Sequence, residues 1–111
     1  MVEFALVLPI LVTLMIALVQ FGIVFKDWIS VTDSARVAAR AAVVARFGGQ
    51  QPCAAAQASV NSAGGGLTLQ SCTLSAQDVT VTVTHQWNVS LPLVSFSRNG
   101  DLTSSVTEAL E

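Results

Sequence analysis

The stretch FALVLPILVTLMIALVQFGIVF, residues 4–25, decides the reading of this chain. It carries no charge, and its only polar side chains are Thr13 and Gln20. A hydrocarbon layer about 30 Å thick takes about 20 apolar residues of helix to cross. The stretch is therefore long enough to span a bilayer. Before it stand only Met1, Val2 and Glu3, with no basic flank. A carboxylate at the end of a membrane helix is costly near lipid and needs a partner. One acid followed by unbroken apolar sequence is the main functional clue in the chain.

A secretory signal reads differently. It has a basic start, an apolar region of about 7–15 residues and a small-residue cleavage site. Here the apolar run is longer and flows without a break into more helix. The chain reads as one already processed, or cut close to its processing site.

Beyond Phe25 the helix is predicted to continue to Phe47. Lys26, Ser30, Asp33, Arg36 and Arg40 recur every three or four residues and form one polar stripe. Trp28, Val31, Ala35, Ala38, Ala42 and Ala45 make the opposite side, rich in the best helix former. Asp33 and Arg36 are spaced to pair across a turn. Gly48-Gly49 stops the helix, with Arg46 well placed in its last turn. At 1.5 Å per residue the element would be about 70 Å long, too long for a domain of the remaining residues to cover. Pro9 lacks an N–H and clashes with the carbonyl one turn back, near Ala5, so a kink or an unwound turn is expected there. Gly22 is a second weak point or a close-packing spot.

The remainder is polar. The whole chain has 111 residues, 52% of them hydrophobic, and a net charge of −2. The hydrophobic share is concentrated at the N-terminus, and Ser, Thr, Gln and Gly dominate after Phe47. Domains this small need a staple or a partner. The slight charge gives no basic patch for nucleic acid, and the absence of tyrosine argues against a base-stacking surface. Cys53 and Cys72 do not form a Cys-x-x-Cys pair, and with one histidine they cannot complete a zinc site. A disulfide is the preferred reading, with free buried thiols as the alternative. It would close a loop of about 20 residues, contribute roughly 3 kcal/mol and imply an oxidising compartment.

Gln51-Pro52 is expected to open a short second helix over Cys53–Ser62, ended by Gly64-Gly65-Gly66. The triple glycine is not a phosphate loop, since no Lys-Ser/Thr follows it. From Leu67 the period becomes two. Leu67 and Leu69 begin a strand, and Ser75–Asp78 is turn-like. Val79, Val81, Val83, His85, Trp87, Val89 and Leu91 then alternate with polar residues until Pro92. Arg98-Asn99-Gly100-Asp101 reads as a turn, with a last strand over Leu102–Leu110. Glu108 falls on the apolar face of that strand, so a bulge or a sheet margin is expected there. The expected fold is α+β: residues 1–47 a long assembly or transmembrane helix, residues 48–111 a small disulfide-stapled domain with a three-stranded antiparallel sheet against the helix.

His85 is the only histidine and lies on an apolar face; a structural role outweighs a switch or a ligand there. Asn88-Val89-Ser90 matches a glycosylation acceptor, a short triplet that recurs by chance. One histidine and scattered acids supply no nucleophile–base pair, no paired acids and no metal cluster. No enzyme, cofactor or metal is expected.

Val2-Glu3-Phe4-Ala5-Leu6-Val7-Leu8-Pro9, Gln20-Phe21-Gly22 and Ala35-Arg36-Val37-Ala38-Ala39-Arg40-Ala41-Ala42 resemble the TadE-like pilins, the tight-adherence branch of the type IV pilin superfamily. The resemblance covers residues 2–42 and beyond that rests on layout. It implies a leader removed by a prepilin peptidase, helices that bundle into an extracellular filament, and residence in the inner membrane before assembly. Pilus assembly machinery and other pilins, or copies of the same subunit, would be the partners. Glu3 would be the assembly glutamate, with Phe4 and Pro9 beside it. Glu3 stands closer to the chain start than is usual for that family, which leaves the processing site undetermined. A pseudopilin of a secretion system and a membrane-anchored surface module that never polymerises are the alternatives.

Overall fold

A computed structural model describes residues 1–91 and 96–109. Two helices, α1 (Val2–Phe47) and α2 (Pro52–Ala63), precede three strands, β1 (Leu67–Leu74), β2 (Asp78–Leu91) and β3 (Phe96–Ala109). The strands form one antiparallel sheet in the order β1-β2-β3. The architecture is the α+β layout expected from the sequence: a long apolar helix with a small sheet on its outer half. The molecule is 72 Å long and about 20 Å wide, because nothing but α1 sets its length.

α1 is helical through Pro9, so the backbone is not unwound there. Thr13 donates its hydroxyl to the carbonyls of Pro9 and Ile10, at 3.1 and 2.8 Å. At the other end the Gly48 N–H returns to the Val44 carbonyl and the Gln50 N–H to that of Ala45. Arg46 does more than face the helix dipole: its Nη1 donates to the Ser75 carbonyl in the β1–β2 turn, at 2.9 Å. Gly64, Gly65 and Gly66 all have φ near +70°, a region that side chains disfavour. That is how α2 can end and β1 begin within three residues.

The core is thin and made of small groups. Val31, Ala35, Ala38, Ala39 and Ala42 of α1 meet Val79, Val81 and Val83 of β2, Leu67 of β1 and Leu102 of β3, with Ala56 and Val60 of α2 closing one side. Alanines on the helix let the sheet come close. Each fully buried valine contributes about 1.5–3 kcal/mol relative to exposure. The three valines of β2 are fully buried because β2 is the central strand.

Three expectations need correction. Trp28 is not on the sheet side: it stays 51% exposed, while Ser34 and Ala39 are buried instead. The sheet covers the helix along a stripe through Asp27 and Val31, and Trp28 sits about 100° round from Asp27. Asp33 and Arg36 do not pair; among the described residues the ion pairs are Lys26–Asp27 and His85–Asp27. Arg98-Asn99-Gly100-Asp101 is not a turn. It lies within the first half of β3, paired residue for residue with Gln86–Val89. Glycine stands there because a side chain would meet a neighbour. A Cβ on Gly100 would lie 2.7 Å from the ring of Trp87, its partner across the ladder. Glu108 causes no bulge either. It pairs with Val79 in unbroken register and is half-buried on an edge strand, so the sheet-margin half of that expectation holds.

The bulge lies on β1. Leu69 pairs with Val83 and Ser71 with Thr82, so Gln70 is the extra residue. One added residue moves every later side chain to the other face. Leu67 and Leu69 face the helix before the bulge, and Cys72 does after it.

Pro92, which the sequence reading placed at the end of the strand, and Leu110 lie outside the described residues.

Candidate assembly surface

α1 presents two surfaces. Between Val31 and Ala45 it is one wall of the core. Between Val2 and Phe25 it presents large apolar side chains to the outside, with Phe4 72% and Phe21 71% exposed. The accessible surface is 7682 Å². A compact monomer of this mass exposes about 5,800 Å², so the excess is roughly 1,900 Å². That is the size of a stable protein interface and far beyond the apolar patch of an ordinary monomer.

Glu3 is exposed in the first turn of α1. The N-cap residue Met1 supplies no side-chain cap. An acid in a first turn is favoured by the helix dipole, and no other charge occurs until Lys26. Phe4 neighbours it, and Pro9 lies about one and a half turns further in.

At the junction of the two halves His85 Nε2 lies 3.5 Å from Asp27 Oδ2, and both side chains are at most one-fifth exposed. Lys26 approaches the other carboxylate oxygen at 3.9 Å. His85 Nδ1 is buried against Gly66 with no hydrogen-bond partner. This is an ion-pair geometry tying helix to sheet. Its role is structural, and nothing local marks it, because Asp27 falls off the polar stripe of α1.

Cys53, in the first turn of α2, is disulfide-bonded to Cys72, with Cα atoms 5.8 Å apart. The Gln70 bulge is what turns Cys72 toward α2. Asn88 is exposed, opposite Asn99. Among the described residues no group of three or more His, Cys, Asp or Glu side chains could hold a metal ion.

A long N-terminal apolar helix carrying a small antiparallel sheet is a pilin-like layout. Residues 1–40 are similar to the TadE family, described as TadE-like protein. The match ends inside α1, so it speaks for the helix and not for the sheet. No curated protein and no solved structure matches the chain. TadE-like proteins are pilus-associated, and a helix long and apolar enough to cross a membrane fits a membrane-anchored or surface location.

Proposed function

We propose that the protein is a structural pilus subunit that polymerises through α1 into an extracellular Tad-like filament. The observation that carries this reading is the naked apolar surface of Val2–Phe25 with Glu3 as its single charge. Such a surface has two suitable environments, acyl chains and other helices of the same kind. The subunit would wait in the inner membrane after a prepilin peptidase has acted, and assembly machinery would transfer it to the filament.

Within a packed core of helices Glu3 would be a lone buried charge, which is tolerable only when paired. The N-terminal ammonium of an adjacent subunit is the suitable partner. Pro9 lacks the N–H that would bond the Ala5 carbonyl, which gives neighbouring helices a further polar group to satisfy.

The test is Glu3→Ala, followed by filament yield in electron micrographs and by circular dichroism of the subunit. Filaments should be lost while the sheet stays folded. Normal filament yield would refute the assembly role of Glu3. Dispersed, anchored wild-type subunits with no filaments at all would point to a non-polymerising surface module.

A further inference from the structure

The sheet does not stop where the apolar helix begins. Thr13, Ile16, Gln20, Val24 and Asp27 are half-buried, spaced three or four residues apart, while their helix neighbours are exposed. They continue the core stripe of α1 toward the N-terminus. The far end of β2 runs beside this stripe: Ile16, Gln20, Val24 and Asp27 share one groove with Trp87 and Asn88. The lengths agree. From His85, level with Asp27, β2 runs on to Leu91, about 20 Å of strand. That reaches back about 13 helical residues.

This overlap is incompatible with a bilayer around Phe4–Phe25. From Thr13 to Phe25 is about 18 Å of helix, most of a hydrocarbon core about 30 Å thick. The hairpin end there carries Gln86, Asn88, Asn99 and Asp101, all polar and exposed. It also has the open backbone edge of β3. Lipid-facing sheet edges do not occur in hydrocarbon, since each unsatisfied group costs several kcal/mol. Holding the subunit out of the membrane up to Thr13 leaves only Phe4–Val12, about 14 Å, which cannot span.

We infer that the Thr13–Val24 stripe of α1 has two alternative partners: acyl chains while the helix crosses the bilayer, and the β2–β3 hairpin end once the helix has left it. The hairpin beyond His85 is lifted in the membrane and docked after extraction. The Asp27–His85 pair holds the sheet to α1 in both states, because it lies above the apolar run. This rests on the reading that Phe4–Phe25 spans a membrane before assembly.

The test uses the full chain with Ser30→Cys and Asn99→Cys, both at exposed positions, each carrying a nitroxide; the native cysteines are occupied by their disulfide. Pulsed dipolar spectroscopy reads the distance in vesicles of phosphatidylethanolamine and phosphatidylglycerol and again in filaments. In vesicles the distribution should be longer and broader than the docked arrangement gives; in filaments it should narrow to the docked value. The docked distance in vesicles would overturn the inference. So would a Leu18→Cys nitroxide in the same vesicles that a water-soluble relaxation agent reaches, because the helix would then not span. Absence of filaments would count against the assembly reading alone, since the vesicle measurement stands without them.

Discussion

Gly100 lies directly opposite Trp87 in the β2–β3 ladder, and the indole occupies the space that a Cβ on Gly100 would need. The ring packs across the bare strand and joins the edge of the core near α1. One aromatic thus covers an edge strand that has no side chain of its own at that point.

Gly100→Ala should destabilise the chain by about 1–3 kcal/mol, the usual cost of overpacking. The three nearest ring atoms lie at 2.7–2.8 Å, too close for small adjustments to absorb. Urea unfolding followed by tryptophan fluorescence measures it. In a Trp87→Ala background the same substitution should cost much less, and equal costs in both backgrounds would argue against the steric account.

Deleting Gln70 should leave the Cys53–Cys72 disulfide intact. The deletion removes only the extra residue, so Ser71 to Leu74 keep Thr82 to Val79 as partners in a regular ladder and Cys72 still faces α2. A residue inserted after Ser71 should instead move Cys72 to the other face and abolish the bond. Thiol titration under denaturing conditions should find two free thiols in the insertion and none in the deletion or the parent.

The paired substitution Cys53→Ala with Cys72→Ala should lower stability by roughly 3 kcal/mol, from the loop-closure entropy of about 20 residues. The midpoint of urea unfolding reports it. A small shift would mean that the α1–α2 packing alone holds α2 in place.

Ala42→Leu should cost about 1–3 kcal/mol, because Ala42 is completely buried in the core. Val44→Leu, two positions on and on the exposed side, should change stability by no more than about 0.5 kcal/mol. Thermal unfolding of the two variants side by side gives the comparison.

Much of the fold is legible in the residues, for reasons of period. Alanines at helical spacing from Val31 to Ala45 mark a buried stripe, and alternation from Val79 to Val83 marks a central strand. Trp28 fails the same reasoning because a stripe fixes a direction around the helix only to within one residue. Asn99-Gly100 fails for a different reason. Glycine serves a positive-φ turn and a close approach equally well, and nothing local separates the two. The contact that decides is Trp87, a dozen residues away. The candidate assembly surface is the most legible feature, since an apolar helix with one acid needs no tertiary context to be recognised.

The sequence by itself determined the long helix, its apolar half with Glu3 at the start, the existence of the sheet and the candidate disulfide. These follow from spacing, composition and the chemistry of single residues. Only the tertiary structure decided where the sheet sits on the helix. Two contacts tie it to the helices: His85 on Asp27, and Cys72 turned to Cys53 by an extra residue at Gln70. Each joins groups far apart along the chain, and neither leaves a periodic mark. Their combined effect is to lay the β2–β3 hairpin over the outer turns of the apolar run, a placement that hydropathy along one strand of sequence cannot register.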